Sequence, residues 1–261
     1  MSKARQSCSA CRESRLNFPF TMAFQPVVDL KEHRIDAHEA LVRGPGGEGA
    51  GSVLAQVNET NLYAFDQACR VKAIEMASSL GLDGNLNINF LPNAVYEPKA
   101  CIRLTLDAAA RTGFPLDRLT FEFTENERVP DEGHILAIVQ EYRRHGFRVA
   151  LDDFATGYSG LSRLANLKPD IIKLDRALVK DCDTDRVRIA IVASMVALGA
   201  EVGIKVVAEG VERIGEVEAL RAAGVRFMQG FYFARPIFQG IAGMADIRWP
   251  VEALPGLGLQ A

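Results

Sequence analysis

The chain has 261 residues, of which 48% are hydrophobic and 24% are charged, a composition typical of a globular protein with a sizeable core. Acidic and basic residues are interspersed and the formal net charge is −3, so no basic face for a nucleic-acid polymer is indicated. The sequence has no apolar run long enough to span a membrane, and no signal peptide is recognisable at its N-terminus. We therefore expect a cytoplasmic protein.

The five cysteines do not form a small disulfide scaffold at this chain length, so we expect reduced thiols. Cys8 and Cys11 form a C-x-x-C pair, but no second pair or nearby histidine completes a four-ligand zinc site. We interpret residues 1–19 as a flexible N-terminal tail that carries free thiols. A redox role or an intermolecular metal contact of this pair is the alternative.

The first predicted elements form a hairpin. Strands are predicted at 23–30 and 34–43, and a connection as short as the one between them cannot cross over the sheet. These two strands should therefore be antiparallel neighbours. A flexible Gly-rich loop at 44–51 and then one or two helices that end near Gly81 complete this part of the chain.

From residue 85 onwards, predicted strands and helices alternate. The strands are 85–90, 119–125, 148–154, 170–175, 205–210 and 225–231. The helices are 99–112, 132–145, 159–166, 185–202 and 213–223. This order predicts an α/β fold, a (β/α)8 TIM-like barrel with a reversed first strand. A doubly wound open sheet is the alternative, although no Gly-rich phosphate-binding turn follows an early strand.

Polar residues interrupt the apolar strands toward their C-terminal ends. They are Glu39, Asn87, Asn89, Glu122, Asp152, Asp153, Lys173, Asp175, Glu209 and Gln229. In a barrel, these strand ends meet at one mouth, which is where active sites lie. A single buried polar residue often only satisfies a backbone group, but interruptions at matching ends of seven strands indicate a site.

Several acids at one mouth would repel each other, since two unit charges ~4 Å apart interact by about 4 kcal/mol at an effective dielectric constant of about 20. Either some acids are protonated or metal ions lie among them. The donors are nearly all oxygen atoms and no histidine falls at these strand ends, which favours Mg²⁺ or Mn²⁺ over zinc. The chain turns after Asp152 and Asp153, so both acids can face the mouth and one of them could bridge two cations.

The ordered motifs FQPVV, EALVR, NINF, EFTE, DDFATGYSGL, IIKLD, VVAEGVE and MQGFYFARP resemble those of the EAL domain, the cyclic di-GMP phosphodiesterase module. The resemblance runs from about Phe20 to Pro236, so we expect an EAL barrel at 20–240 and a C-terminal tail at 241–261. It implies a barrel with a reversed first strand. It also implies hydrolysis of one phosphodiester bond of cyclic di-GMP to linear pGpG, with two Mg²⁺ or Mn²⁺ ions.

The resemblance implies roles for individual residues as well. The metal ligands would be Glu39, Asn89, Glu122, Asp152 and Asp153, with Asp152 bridging the two ions. Catalysis would involve Lys173, which would bind the attacking water, together with Glu209 and Asp153. Substrate contacts would come from Gln25, Arg43 and Gln229, and the loop after the aspartate pair would be anchored by Glu125 and Glu212.

Two of these roles have simpler alternatives. Arg43 offers a bidentate fork to a phosphate oxygen, but it could also only pair with Glu39. Neighbouring cations would depress the pKa of Lys173 so that it could relay a proton, but Lys173 could also only neutralise Asp152. The family usually has Gly where this chain has Ala155, and Ala costs about 1 kcal/mol if that position needs a positive φ.

Other functions stay open at this point. A catalytically silent cyclic di-GMP receptor with the EAL fold is one alternative, although no metal ligand is missing from the motifs. A barrel enzyme of the enolase type is another, although the adjacent aspartates favour phosphoester chemistry. The resemblance also implies a homodimer. No GGDEF-type cyclase motif is present, so an upstream sensory partner is a further expectation.

Overall fold

The computed structural model describes residues 16–95, 97–125, 132–155 and 160–250. The predictions for Cys8 and Cys11, for loop residues 156–159 and for the chain end at 251–261 lie outside these ranges. Among the described residues, none of the helices combines the length and the hydrophobicity that crossing a membrane requires.

The described residues contain nine strands. They are β1 (Thr21–Asp29), β2 (Arg34–Arg43), β3 (Asn85–Asn89), β4 (Leu119–Thr124), β5 (Arg148–Phe154), β6 (Ile171–Leu174), β7 (Lys205–Ala208), β8 (Phe227–Met228) and β9 (Ile237–Phe238). The α-helices are α1 (Ala50–Leu54), α2 (Leu62–Ser79), α3 (Pro98–Cys101), α4 (Arg103–Thr112), α5 (Glu132–Arg144), α6 (Gly160–Leu167), α7 (Arg176–Val179), α8 (Arg186–Val202) and α9 (Ile214–Ala222).

The first eight strands close into a barrel. Strands β2 to β8 are parallel neighbours in chain order, and β1 closes the ring between β8 and β2. Strand β1 runs antiparallel to both of these neighbours, and it places Gln25 opposite Glu39. The (β/α)8 barrel with a reversed first strand is therefore confirmed, and the open doubly wound sheet is excluded.

Side-chain alternation along the strands builds the inside of the barrel in layers. A small apolar cluster, formed only by strand residues, contains Val27, Ala37, Ala150, Ile171 and Val207. Because residues two apart on a strand point to the same face, the next inward-facing layer consists of their neighbours toward the mouth. That layer contains Gln25, Glu39, Asp152, Lys173 and Glu209. The interior of the barrel is thus filled with apolar side chains away from the mouth and lined with polar side chains at the mouth.

A buried ion pair lies in the shell between the strands and helix α2. Arg70 Nη2 lies 2.6 Å from Asp66 Oδ2, and neither side chain is more than 1% exposed. The guanidinium also donates to the hydroxyl of Tyr142, and its Cζ lies 5.3 Å and 5.4 Å from the ring centroids of Phe90 and Phe121. The apolar pattern of the sequence gave no sign of this charged network.

The sequence analysis did not predict two short elements of the structure. Helix α7 lies directly after β6, and β9 pairs with β1 through Ala23 and Phe238. Both elements have four residues or fewer, so they contain too little periodicity to be predicted. Beyond residue 240, Ala242 and Ile247 are only 3% and 7% exposed, so this part of the chain packs against the barrel core.

Candidate metal-binding active site

Lys173 lies at the centre of the barrel mouth with only 1% of its side chain exposed. Its Nζ is 2.7 Å from Oε2 of Glu122 and 2.7 Å from Oε1 of Glu209. The same atom lies 3.3 Å from Oε2 of Glu39 and 3.5 Å from Oδ1 of Asp152. Strands β2, β4, β5 and β6 and the end of β7 thus bring one ammonium group and four carboxylates together.

The charges in this cluster change the protonation of its members. Burial, which the nearby Lys173 ammonium only partly offsets, raises the pKa of Glu122 to about 8. Burial and the adjacent carboxylate of Asp152 raise the pKa of Asp153 to about 6. The pKa values of these two carboxyl groups are thus clearly higher than those of exposed acids. Strongly shifted pKa values of this kind are typical of functional sites.

The pKa of Lys173 is shifted in the direction opposite to the expected one. Burial alone would lower it, but the carboxylates of Asp152, Glu122 and Glu209 together raise it well above its usual value. The expected depression depended on cations beside the ammonium group, whereas carboxylates surround it on this chain. Lys173 therefore acts here as a fixed positive charge and hydrogen-bond donor.

Amide side chains hold the acids in place. Asn89 Nδ2 donates to Oε1 of Glu39 over 2.8 Å, and Gln229 Nε2 donates to Oε2 of Glu39 over 2.8 Å. Asn87 Nδ2 donates to Oε1 of Glu122 over 2.7 Å. Because the amide nitrogen of Asn89 is engaged with Glu39, its carbonyl oxygen is the atom that would serve as a metal ligand.

Two groups of carboxylates share Asp152. Ligand atoms of Glu39, Glu122 and Asp152 lie within 4.8 Å of one another, and the same holds for Asp152, Asp153 and Glu209. Such all-oxygen donor sets suit hard divalent cations such as Mg²⁺ and Mn²⁺. Asp152 belongs to both groups, so its carboxylate could bridge two cations.

The backbone of β5 explains how both aspartates reach the mouth. The pairing of β5 with β6 shifts register between Leu151 and Phe154, which marks a β-bulge. Asp153 has a φ of 52°, and its backbone N–H donates to Oδ1 of Asp152 over 2.9 Å. The strand's alternation is interrupted at this bulge, so adjacent residues no longer point to opposite faces.

Ala155 follows with a φ of 78°, in the left-handed region where Gly is favoured. Its backbone N–H donates to Oε2 of Glu125 over 2.9 Å. Glu125 itself is fully buried and also lies against Gly160, the first residue of α6. Glu125 therefore contacts both described ends of the loop whose central residues, 156–159, lie outside the described part of the chain.

Two other residues that the sequence analysis singled out, Arg43 and Asp175, have specific partners. Arg43 donates from Nη1 to the carbonyl of Val42 over 2.8 Å. Burial lowers the pKa of Arg43, and the carboxylate of Glu39 opposes this shift. Asp175 accepts from the backbone N–H of Ala177 over 2.7 Å and so caps the N-terminus of α7. Its interruption of the strand pattern is explained by this cap.

Glu212 was predicted as a loop-anchoring residue, and among the described residues it pairs with Arg176. Oε2 of Glu212 lies 2.7 Å from Nη2 of Arg176. Sequence reasoning did not single out Arg176, although its place immediately after strand β6 was the available signal. The residues lining the open cavity of about 520 Å³ at the mouth include Gln25, Glu39, Asp175, Arg176, Glu209, Glu212, Gln229 and Phe231.

A second acidic group, outside the barrel mouth, does not form a comparable site. Ligand atoms of Asp181, Asp183 and Glu216 also lie within 4.8 Å of one another. Arg213 Nη2 lies 2.9, 2.7 and 3.2 Å from their respective carboxylate oxygens. A guanidinium group therefore already neutralises this cluster.

The geometry of the mouth agrees with a family assignment. The family model described as "EAL domain" matches residues 10–236, which is most of the chain. The chain belongs to the EAL domain family.

Two curated relatives are signaling protein YkoW from Bacillus subtilis (strain 168) and the blue light- and temperature-regulated antirepressor BluF from Escherichia coli (strain K12). YkoW is 29% identical over 236 residues, which are 87% of this chain and 29% of YkoW.

BluF is 31% identical over 230 residues, which are 87% of this chain and 56% of BluF. The chain thus spans between about a third and about half of these two relatives.

Solved EAL structures have the same architecture. A standalone versatile EAL protein from Vibrio cholerae O395, in its c-di-GMP-bound form, matches with a TM-score of 0.86 and 49% identity over 90% of this chain and 98% of that chain. Klebsiella pneumoniae BlrP1, in a manganese/cy-diGMP complex at pH 9.0, matches with a TM-score of 0.82 and 35% identity. That match covers 87% of this chain and 58% of BlrP1.

Proposed function

We propose that this chain hydrolyses one phosphodiester bond of cyclic di-GMP with two divalent cations and releases linear pGpG. The observation that carries this proposal is the pair of carboxylate groups that share Asp152. A pair of cations held about 3.5–4 Å apart is typical of enzymes that cleave phosphoesters. The EAL structures with bound cyclic di-GMP, one of them with manganese, support the choice of substrate and metal.

The donor set fits Mg²⁺ or Mn²⁺. We propose Glu39, Asn89, Glu122 and Asp152 as ligands of the first ion, and Asp152 with Asp153 for the second. Every ligand offers an oxygen atom, and hard cations prefer such donors. When bound, the cations would lower the pKa of a coordinated water and withdraw charge from the phosphate.

The protein's own residues would position the reactants. Lys173 contacts four carboxylates, and we propose that its ammonium group also donates a hydrogen bond to the attacking water. Glu209, 2.7 Å from Lys173 Nζ, would accept a proton from that water. Gln229 and Gln25 lie 3.3 Å apart at the cavity wall, where their amides could contact the nucleotide.

The product determines which bond breaks. Linear pGpG carries a terminal 5′-phosphate, so the bond between phosphorus and the O3′ atom of one ribose is cleaved. Oxygen from water joins the phosphorus, and O3′ leaves with a proton. No oxidant or reductant is needed, which agrees with a site built from carboxylates, amides and one ammonium group.

The decisive experiment uses purified protein and cyclic di-GMP with Mn²⁺ or Mg²⁺, with and without EDTA, and separates the products by chromatography. The wild-type protein should yield pGpG only with metal. Glu39→Ala and Asp152→Asn should each abolish the product, whereas Glu75→Gln at the surface should retain it. Activity that persists in either site variant would contradict the ligand assignment.

The alternative function is a cyclic di-GMP receptor that binds without hydrolysis. It is less favoured because all the carboxylates expected as metal ligands converge at the mouth. Isothermal titration calorimetry with cyclic di-GMP, run beside the product assay, separates the two functions. Tight binding with no pGpG in either metal would select the receptor.

We further propose that the protein forms a homodimer through helix α8. Within this helix Val192 and Gly199 are the buried residues, while Val187 and Ile191 are 69% and 41% exposed. Arg186 begins the helix and Glu201 lies near its end. Two copies of α8 packed antiparallel about a two-fold axis would place these opposite charges together and cover the apolar residues between them.

Light scattering coupled to size-exclusion chromatography tests this contact. Ile191→Glu should shift the protein toward monomer because it places like charges at the two-fold axis. Leu104→Glu, at a 44% exposed position on α4, is the matched control and should leave the mass unchanged. A wild-type monomer at micromolar concentration would contradict the homodimer. A cytoplasmic location and an upstream sensory partner stay predictions from the sequence.

A further inference from the structure

The cavity at the barrel mouth has an unbalanced charge. Four of the residues that line it are acids: Glu39, Asp175, Glu209 and Glu212. Among the described lining residues, Arg176 carries the only cationic side chain. Cyclic di-GMP has two phosphodiester groups, each with one negative charge. If the two cations hold one phosphate, the other needs a positive partner in the same cavity.

We propose that Arg176 binds the phosphate of cyclic di-GMP that is not cleaved. This inference rests on the proposed function and adds to it a residue that determines the preference for a two-phosphate substrate. Arg43, for which the family resemblance implies a substrate contact, uses one of its donors, Nη1, for the carbonyl of Val42 and is not among the residues that line this cavity. Val42 lines a separate, apolar cavity of about 250 Å³.

The stem of Arg176 is held at the cavity wall by Gly210. Gly210 has a φ of 65°, and a Cβ atom built there would lie 2.6 Å from Cβ and 2.8 Å from Cδ of Arg176. Only a residue without a side chain leaves room for this contact. The glycine therefore seats the arginine against the end of β7, beside Glu209.

The guanidinium group of Arg176 has a partner that a phosphate can replace. Its Nη2 lies 2.7 Å from Oε2 of Glu212, and the two side chains are 45% and 40% exposed. An ion pair with this much exposure contributes little to stability, so exchange for another anion is easy. A phosphodiester offers two oxygens that match the planar fork of arginine. When the nucleotide binds, the Arg176 guanidinium thus exchanges its ion pair with Glu212 for one with the substrate phosphate.

Glu212 has its own support after this exchange. Its backbone N–H donates to Oε2 of Glu216 over 2.9 Å, and Glu216 is buried. The backbone beside Glu212 therefore stays in place when the side chain loses Arg176. Its carboxylate is 40% exposed and can be solvated by water.

Binding of cyclic di-GMP in Ca²⁺, followed by calorimetry, tests the inference without requiring turnover. Arg176→Ala should raise the Kd at least tenfold, and Arg176→Lys should give an intermediate value because it keeps the charge but loses the fork. Glu212→Gln should lower the Kd, because Arg176 then does not have to break an ion pair with a carboxylate before it binds the phosphate. Arg118→Ala is the matched control, since the Arg118 side chain is 41% exposed and lies 2.8 Å from Asp83, outside the cavity.

Turnover in Mn²⁺ gives a second measurement. Arg176→Ala should raise KM for cyclic di-GMP at least tenfold while kcat stays within threefold of wild type. The ratio of kcat/KM for cyclic di-GMP to that for bis(p-nitrophenyl) phosphate, which has one phosphate, should fall at least tenfold. A Kd within twofold of wild type, or a fall in kcat with KM unchanged, would overturn the role of Arg176.

These results separate the two proposals. Wild-type protein that binds cyclic di-GMP but forms no pGpG overturns the proposed hydrolysis, while the comparison of Kd values still decides the role of Arg176. Wild-type protein that does not bind the nucleotide in Ca²⁺ overturns both.

Discussion

Lys173 and Glu122 are in direct contact where solvent does not reach: Nζ and Oε2 lie 2.7 Å apart, and the side chains are 1% and 0% exposed. Burial still raises the pKa of Glu122 to about 8, so one ammonium group does not compensate for burial together with the nearby carboxylates of Glu39 and Asp152. Divalent cations added to this cluster would supply the missing positive charge. The same imbalance makes the stability of the metal-free protein depend on pH.

We predict that the protein in EDTA loses stability between pH 6.5 and pH 8.5. The folded-state pKa of Glu122 is raised to about 8 from an ordinary value of 4.5, so the folded protein holds a proton that the unfolded chain has already released. Stability then falls as the pH rises toward 8. Burial lowers the pKa of His38 from its ordinary value of 6.5, so titration of His38 changes the stability only below this pH window.

Thermal unfolding followed by circular dichroism measures this effect. The Tm of the wild type should decrease across the window, and Glu122→Gln should make the decrease shallower because it removes one of the titrating carboxyl groups. Burial also raises the pKa of Glu209 well above its usual value, so part of the decrease should remain in this variant. Glu75→Gln, at an exposed surface position, is the control and should follow the wild type. A wild-type Tm that is constant or rises from pH 6.5 to pH 8.5 would disprove the prediction.

We predict that Ala155→Gly changes activity less than tenfold and stability by less than about 1 kcal/mol. The φ of 78° costs Ala about 1 kcal/mol or more, which Gly would relieve. Gly also raises the entropy of the unfolded chain, which costs about 0.4–1 kcal/mol. Ala165→Gly, at an exposed position in helix α6, has no strain to relieve and should lose stability. Urea denaturation and the pGpG assay measure both variants, and a hundredfold change in activity of Ala155→Gly would refute the prediction.

We predict that Gly160→Ala is harmful. A Cβ atom at Gly160 would lie 2.9 Å from Cδ of Glu125 and 3.1 Å from Cε2 of Phe154. Such overpacking costs about 1–3 kcal/mol and would displace the carboxylate that accepts from Ala155. We expect pGpG formation to fall more than tenfold. Gly51→Ala, where a Cβ atom meets nothing within 4 Å, is the matched control, and equal behaviour of the two variants would contradict this account.

We predict that Arg70→Leu destabilises the protein by about 3–5 kcal/mol, because it leaves the carboxylate of Asp66 buried without its cation. The double variant Asp66→Asn with Arg70→Leu should recover part of this loss, since no buried charge is left uncompensated. Arg118→Ala, which removes an exposed pair, should change stability by less than about 1 kcal/mol. Urea denaturation gives all three values, and a loss below about 1 kcal/mol for Arg70→Leu would rule out a structural role for the pair.

The sequence by itself determined the barrel, its reversed first strand and the acids of the mouth. A short hairpin connection allows only antiparallel neighbours, and polar interruptions such as Glu122 and Lys173 stand out in apolar strands. These signals are local, because side-chain alternation and turn length act over a few residues.

Only the tertiary structure decided how these residues act on one another. The raised pKa of Lys173 depends on carboxylates from other strands, as in its contact with Glu209 at 2.7 Å. The pairing of Arg176 with Glu212 spans 36 residues. Asp66 and Arg70 are four residues apart in one helix, but their burial, with Phe121 against the guanidinium, comes from the packing of other elements. Electrostatic energy depends on distance in space and on burial, and neither quantity can be read from the order of residues along the chain.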